Sequence, residues 1–200
     1  GDFWASGMDT SAIEKEGLNG IATELASINS ITDINGLVQT SARLQTIGVE
    51  TLYGLYLYQD EKNSEIYSLH LYQGGLGLPD RDYYFNTDTR TAKVRAEYPG
   101  HLAKMFQLLG DDEKTASANS AVVMKIETAL AKASRKIEDL RDPYKNYNRM
   151  SISDLNKKTP LIDWKSSFTT MSINNEDTVV VGQPEFFTAL NGLLKTISIN

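Results

Sequence analysis

The stretch that decides the fold is Asn63–Tyr84, which reads Asn-Ser-Glu-Ile-Tyr-Ser-Leu-His-Leu-Tyr-Gln-Gly-Gly-Leu-Gly-Leu-Pro-Asp-Arg-Asp-Tyr-Tyr. Its first half alternates in character with a period of two, which is typical of a β-strand. The glycines and the proline that follow have the composition of a tight turn. The segment therefore predicts a strand that leaves through a turn into a charged, doubly aromatic end.

A second alternating stretch precedes this one, over residues 52–58. The polar run Asp60–Ser64 between the two has the composition of a connecting turn, so we predict a β-hairpin near residues 52–73. Seven of the ten tyrosines lie between Tyr53 and Tyr84. Two interpretations of them stay open. They pack across the strands, or they form a peptide-facing wall, for which Tyr56 and Tyr72 are the candidates.

On both sides of the hairpin, apolar residues recur at helical spacing. A capping-box pattern at Ser11–Glu14 predicts one helix, and Thr32-Asp33 predicts a second that ends at Gly48. A brief strand is predicted at Thr178–Val181. The other predicted helices are 94–109 with a kink or split at Pro99-Gly100, 113–140, 153–157, 164–171 and one that begins at Pro184. The chain is predicted to be mainly α with a small β-hairpin component.

Composition narrows the function classes. The 200 residues, 40% of them hydrophobic, suit a single globular domain, and the net charge of −6 argues against a nucleic-acid partner. The basic cluster Lys132, Arg135 and Lys136 is interpreted as a solvated helix face. The chain has no cysteine, which excludes disulfides and thiolate chemistry. No run approaches the ~18 apolar residues of a membrane span.

Catalytic motifs are absent from the sequence. His70 and His101 are the two histidines, and neither belongs to a His-Glu-x-x-His zinc helix. There is no Gly-x-Ser-x-Gly elbow, and Gly75-Leu-Gly77 lacks the third glycine of a dinucleotide loop. The run Asp80-Arg81-Asp82 is interpreted as fixing its loop by ion pairs and hydrogen bonds to turn amides. We therefore assign no catalytic residue and no metal ligand.

Four stretches, in order along the chain, resemble one family. They are Phe3-Trp4 through Met8-Asp9 with Ile13-Glu14; Asp60–Ser64 leading into Leu76–Tyr84; Arg141–Pro143 with Tyr147–Met150; and Val179–Val181 with Pro184-Glu185. Together they are similar to the neprilysin-like zinc metallopeptidases, which include the endothelin-converting enzymes and their bacterial relatives. Gly7 stands where animal members carry a cysteine, which fits a bacterial relative.

The resemblance implies a longer, two-lobed enzyme. In that family a zinc-bound water, polarised with the help of a glutamate, attacks the scissile amide of a peptide. The zinc motif and the other catalytic residues lie C-terminal to the region matched here. Residues 1–177 would then be a helical lobe that restricts access to the cavity, and 178–200 would begin the connection towards the absent catalytic lobe.

The expectations about partners and location follow from the same resemblance. The chain alone is expected to be inactive and to hold no cofactor, with zinc bound in the absent catalytic lobe of the parent protein. Its partners would be that lobe and peptide substrates, in an extracytoplasmic location (periplasmic, secreted or surface-anchored). A severed lobe would expose apolar surface, so we expect self-association.

A different class of function stays open. The chain could be a stand-alone helical module that binds proteins or peptides without catalysis. A His-Glu-x-x-His motif downstream in the parent reading frame would decide for the peptidase. An enzyme made of these 200 residues alone is disfavoured, because no nucleophile or metal motif is present.

Overall fold

The computed structural model describes residues 1–199, which form helices around a small mixed sheet. The four strands are β1 (Tyr53–Asp60), β2 (Asn63–Gln73), β3 (Asn148–Ser151) and β4 (Thr178–Val181). The helices are α1 (Asp2–Gly7), α2 (Thr10–Glu16), α3 (Ala22–Asn29), α4 (Ile34–Thr46), α5 (Asp82–Phe85), α6 (Thr89–Leu108), α7 (Glu113–Ala133), α8 (Ile137–Leu140), α9 (Ile152–Lys158), α10 (Trp164–Thr170) and α11 (Pro184–Leu194). The chain is therefore mainly helical, as the sequence predicts.

The strands form one sheet in the order β1-β2-β4-β3. β1 and β2 are an antiparallel hairpin, β4 runs parallel to β2, and β3 is antiparallel to β4. The register places Tyr56, His70, Val180 and Arg149 side by side across the four strands. Because side chains alternate along a strand, these four residues share one face of the sheet, and Leu71 points to the other.

The main core lies on the Leu71 face of the sheet. Trp164 of α10 is at its centre, with its ring 5.0 Å from that of Tyr53, 5.8 Å from Phe168 and 5.7 Å from Phe187. The buried indole N–H donates to Thr159 Oγ1 at 2.8 Å, so the ring sits in the core without an unpaired donor. Helices α9 to α11 thereby fix one face of the sheet and leave the other face free to line a cleft.

Several predicted elements are confirmed. The hairpin occupies Tyr53–Gln73 and β4 has the predicted bounds. Helix α4 begins after Asp33, whose carboxylate accepts the Gly36 amide at 2.7 Å, so the predicted second helix is also confirmed. Pro184 lies in the first turn of α11, where a missing amide hydrogen costs nothing.

Three helix predictions were wrong in detail. The first helix is divided into α2 and α3 with a 3₁₀ turn between them, because Gly17 adopts φ 54°, and Asp9 rather than Ser11 caps α2. Pro99 does not split α6, which is continuous over Thr89–Leu108, and the predicted alternative of a kink there stays a prediction. The carbonyl of Pro99 accepts a hydrogen bond from Ser120 Oγ at 2.7 Å, which ties α6 to α7.

The predicted helix over 113–140 is also too long, since α7 ends at Ala133. Ser134 turns to ψ 145°, and the next amide, that of Arg135, donates to Gln73 Oε1 at 2.7 Å instead of continuing the helix. A hydrogen bond to the sheet therefore replaces the helical one. Strand β3 was not predicted, because Asn-Arg-Met-Ser carries no apolar alternation.

The division of the chain at residue 177 stays a prediction. Within the described residues, β4 is an inner strand of the sheet, and α11 contributes Phe186, Phe187 and Leu190 to the main core. At the other end of the chain, α1, α2 and α3 bury no residue, and Phe3 and Trp4 are largely exposed. That exposed apolar surface is compatible with self-association, which also stays a prediction.

Candidate functional site

A cleft of about 860 Å³ lies on the face of the sheet opposite the main core. The hairpin contributes Tyr56, His70 and Tyr72 to its floor, and the loop over residues 74–81 forms a wall. Residues of α8 and of the segments on either side of it, together with residues that follow β4, close the remaining side. The cleft therefore brings together residues that are far apart in the sequence.

The glycine-rich loop is shaped by close backbone approach. Gly75 has φ 73°, and a Cβ there would lie 2.9 Å from the carbonyl oxygen of Thr51. At Gly77 a Cβ would lie 1.9 Å from Tyr98 Oη and 3.0 Å from Glu127 Oε1. Both positions require glycine, the first for its conformation and the second for space. The backbone of the loop therefore packs closely against side chains of α6 and α7.

The charged end of the loop fixes its conformation, as predicted. The Asp82 amide donates to Asp80 Oδ1 at 2.7 Å, and Arg81 Nη1 lies 3.3 Å from Asp82 Oδ1. Arg81 Nε also donates to the carbonyl of Ala131 at 3.3 Å. Arg81 is therefore engaged with protein groups at the edge of the cleft.

A buried carboxylate, that of Glu127, supports the wall from behind. It accepts hydrogen bonds from Tyr84 Oη at 2.7 Å and from Tyr98 Oη at 3.1 Å. Tyr84 Oη in turn accepts the Leu78 amide at 3.1 Å, which links the loop to α7. Burial, together with the charge of Glu127 and the hydrogen bond to it, raises the pKa of Tyr98 to about 12. Burial and the hydrogen bond to Glu127 also raise the pKa of Tyr84, so both phenols stay protonated and keep donating to the carboxylate.

The two candidate wall residues lie together at the floor of the cleft. The ring centroids of Tyr56 and Tyr72 are 5.4 Å apart. Tyr72 covers Gly54, where a Cβ would lie 1.8 Å from its Cζ, and its hydroxyl donates to Glu50 Oε1 at 2.5 Å. Cross-strand packing and cleft lining therefore occur in the same side chains. Contact with a peptide stays a prediction.

His70 is a cleft residue that the sequence interpretation missed. It is 3% exposed, its ring stacks on Tyr56 with centroids 4.9 Å apart, and its Nε2 has no hydrogen-bond partner among residues 1–199. Burial lowers its pKa, while Glu61 and Asp60 oppose that shift. The available signal was its position in β2, two residues before Tyr72, which puts both on one face.

The two histidines do not meet in space. His70 lies within the sheet, and His101 is exposed on α6, its ring 6.4 Å from that of Tyr98. Across residues 1–199 the structure contains no group of three or more histidine and carboxylate side chains arranged to hold a metal ion. In the same part of the chain, no helix combines the length and the apolarity that crossing a membrane requires.

Asp60 anchors the tip of the hairpin to β3. The buried carboxylate accepts from Ser68 Oγ at 2.8 Å, from Arg149 Nη1 at 3.0 Å and from the Tyr147 hydroxyl at 3.0 Å. The Lys62 amide adds a further donor at 2.9 Å. Burial would raise the pKa of Asp60, but these donors and the charge of Arg149 lower it to about 2. Tyr147 and Arg149 therefore fix the hairpin rather than a ligand.

Arg135 corrects the interpretation of the basic cluster. Its side chain is 19% exposed and makes a bidentate ion pair with Glu185, in which Nη2 donates to Oε2 at 2.9 Å. It also donates to the Lys145 carbonyl and to Asn146 Oδ1, at 2.9 and 3.1 Å. Arg135 is therefore a structural link between the end of α7 and the start of α11, and not part of a solvated helix face.

Comparison with known proteins identifies the group to which this arrangement belongs. The model of peptidase family M13 matches residues 1–200. The chain is 34% identical to an endothelin-converting enzyme homolog of Locusta migratoria over an alignment of 143 positions that covers 68% of the chain, and 35% identical to mouse neprilysin over an alignment of 169 positions that covers 76% of the chain. The fold and the matches define a portion of a metallopeptidase. The chain belongs to peptidase family M13.

The structural comparison agrees with this assignment. Zinc metalloprotease Zmp1 of Mycobacterium tuberculosis, solved in complex with an inhibitor, covers the whole chain with a TM-score of 0.92 and 33% identity. The chain covers 30% of that structure, 20% of the locust relative and 22% of mouse neprilysin. It spans about a fifth of the curated relatives that it matches and corresponds to the N-terminal portion of these peptidases.

Proposed function

We propose that this chain is the access-restricting segment of a longer zinc metalloendopeptidase that hydrolyses peptides, and that the floor of its cleft faces the substrate. The observation that carries the proposal is the pair Tyr56 and Tyr72, which line one cleft of about 860 Å³ in a chain of this family. A volume in this range accommodates a few amino-acid side chains, because ligand pockets of ~300–1,000 Å³ hold drug-sized molecules.

Residues 1–199, which the structure describes, do not fit a zinc site. His70 is buried in the sheet with one ring nitrogen facing Glu61, and His101 lies on a separate helix. In residues 1–199 no cluster supplies the three protein ligands that a catalytic zinc requires. We therefore assign the zinc, and the bond-breaking chemistry, to the remainder of the parent protein. That remainder would be the partner of this segment, in an extracytoplasmic location.

In this proposal the segment binds peptide substrates and excludes folded proteins. Tyr72 is held by its hydroxyl on Glu50 and by its ring over Gly54, so it offers a fixed apolar surface. The loop over residues 74–81 is held by Glu127 and its tyrosines and cannot move aside without breaking those hydrogen bonds. A cleft of about 860 Å³ is large enough for a segment of extended peptide and too small for a folded domain, which supports selection by size.

Substitutions in the full-length peptidase test the proposal. We expect Tyr56→Ala and Tyr72→Ala each to change the ratio of kcat/KM between two peptides by about fivefold, the size of one aromatic contact. Tyr67→Ala is the matched control, because Tyr67 is 70% exposed on the same hairpin and does not line the cleft. The zinc content of all three variants should equal that of the wild type.

Three results would overturn the proposal. The first is a parent reading frame without a His-Glu-x-x-His motif, which would favour a stand-alone binding module. The second is peptide cleavage with stoichiometric zinc by the purified 200-residue chain. The third is unchanged selectivity in both Tyr56→Ala and Tyr72→Ala, which would remove the substrate-facing role while leaving the family assignment intact.

A further inference from the structure

One corner of the cleft brings together a carboxylate, an imidazole and a phenol ring that retain the capacity for further interactions. We call Tyr56, Glu61 and His70 the His70 corner. His70 Nδ1 lies 3.8 Å from Glu61 Oε1, and the imidazole stacks on Tyr56 with an interplanar angle of 10°. All three residues line the cleft. The buried Nε2 of His70 has no partner within residues 1–199, and an unsatisfied buried polar atom costs about 1–3 kcal/mol.

The surroundings of His70 determine what Nε2 can bind. The carboxylate of Glu61 faces Nδ1 and therefore favours the tautomer in which Nδ1 carries the proton and Nε2 does not. Burial lowers the pKa of the ring, which favours the neutral form. Nε2 then carries a lone pair and accepts a hydrogen bond. A partner for Nε2 is therefore a donor, but the nitrogen is closed off from solvent, so a donor reaches it only when a neighbouring side chain moves, whereas Glu61 and Tyr56 are directly accessible.

The cleft that contains the His70 corner is lined by more acidic than basic side chains. Within residues 1–199, the side chains that line the cleft carry four carboxylates and two positively charged groups. The carboxylates belong to Glu50, Glu61, Asp80 and Glu127, and the positive groups are the guanidiniums of Arg81 and Arg141. Arg81 is already paired with Asp82. Within residues 1–199, no lysine or arginine lies within ion-pairing distance of Glu61, whose side chain is 40% exposed. Within the described residues, the carboxylate of Glu61 therefore has no lysine or arginine partner.

Tyr56 adds an aromatic surface to these two features. It is 44% exposed, and its ring is flanked by the rings of Tyr58 and Tyr72 at 6.4 and 5.4 Å. A cation near an aromatic face gains about 0.5–1 kcal/mol at an exposed site and more when it is desolvated. A lone-pair acceptor, a free carboxylate and an aromatic face together suit an ammonium or guanidinium group, which supplies both hydrogen-bond donors and positive charge.

We propose that the His70 corner binds the side chain of a lysine or arginine in the peptide substrate, and so makes the peptidase prefer basic peptides. This inference rests on the proposed function, because it requires that the cleft face the substrate. A basic side chain of the remainder of the parent protein has the same chemistry. The experiment below distinguishes it from a substrate residue.

The test uses the full-length peptidase and pairs of peptides that differ by one Lys→Met or Arg→Gln replacement. For the wild type we expect the basic member of a pair to have a kcat/KM about fivefold higher, the value of one cation–π contact with a screened ion pair. Glu61→Gln should reduce that preference to the share of the cation–π contact, about twofold, and Glu61→Asp should keep more of it. Glu65→Gln is the matched control, since Glu65 is exposed on the same hairpin and does not line the cleft.

The outcomes separate the two proposals. No hydrolysis of any peptide by the wild type would refute the proposed function itself. Hydrolysis without a basic preference, or with a preference that Glu61→Gln leaves unchanged, would refute the inference alone. An equal effect of Glu61→Gln on both members of every pair, with lower thermal stability, would show that a side chain of the parent protein occupies the corner, and would also refute it.

Discussion

The substitution Asp60→Asn tests how the tip of the hairpin is held. Asparagine preserves the shape of the side chain but removes the charge and one of the two acceptor oxygens that serve Ser68, Tyr147 and Arg149. Hydrogen bonds to a charged group contribute about 1.5–3 kcal/mol. Arg149 is partly exposed, so solvent screens its share of the interaction. We expect a loss of about 2 kcal/mol in the free energy of unfolding at pH 7.

The pH dependence of that loss identifies the charge as its cause. The pKa of Asp60 is about 2 in the folded protein, below the value of about 3.9 expected in the unfolded chain. The stabilisation is therefore complete above about pH 4 and is lost as the pH falls towards 2. Urea denaturation followed by circular dichroism should show the difference between wild type and Asp60→Asn reduced by about half at pH 3.

The control for this comparison is Glu65→Gln, which removes an exposed carboxylate of the same hairpin and should change stability by less than ~0.5 kcal/mol at either pH. A cost of Asp60→Asn below ~0.5 kcal/mol at pH 7 would refute the anchoring role. A cost that stayed constant between pH 7 and pH 3 would show that the lost acceptor oxygen, and not the lost charge, accounts for the effect.

Three further predictions concern packing and association. Gly77→Ala should lower the free energy of unfolding by about 1–3 kcal/mol, because its Cβ would displace Tyr98. Gly100→Ala has open space at the Cβ and should raise the free energy of unfolding by about 0.5–1 kcal/mol. Melting temperatures that shift in the same direction in both variants would contradict this. Arg135→Lys should cost about 1–2 kcal/mol, because lysine cannot reproduce the bidentate pair with Glu185; a melting temperature equal to that of wild type would contradict it. The isolated chain should self-associate, and a monomer in light scattering at high concentration would exclude this.

The elements that the sequence predicted well are those in which local chemistry and tertiary packing agree. The alternation in residues 52–73 and the polar turn within it specify the hairpin, and Asp33 specifies the start of α4. The end of α7 was mispredicted because the bond that stops it comes from Gln73, a distant residue. Strand β3 was missed because β4, and not an apolar pattern of its own, holds it in the sheet.

The candidate site, like the fold, could be predicted where local sequence patterns determine it and not where distant contacts do. A period of two places Tyr56 on one face of β1 and Tyr72 on one face of β2, so cleft lining by the hairpin was accessible from the sequence. The unpaired Nε2 of His70 was not, because the burial of the ring depends on the register between the strands and on the side chains packed over it. The approach of Glu61 to Nδ1 depends in addition on the turn. The support given by Glu127 to the loop could not be anticipated either, since helix periodicity marks that position as polar and says nothing about burial.

The parallel pairing of β2 with β4 has a consequence for biosynthesis. Gln73, at the end of β2, hydrogen-bonds to Gln183, 110 residues later, so the inner edge of the hairpin has no neighbour until that part of the chain has left the ribosome. An open strand edge is a template for wrong pairing, and contacts between distant residues form slowly. We therefore expect the nascent chain to need chaperone protection in this interval, and expression that stops before Thr178 to yield aggregates rather than a smaller folded unit.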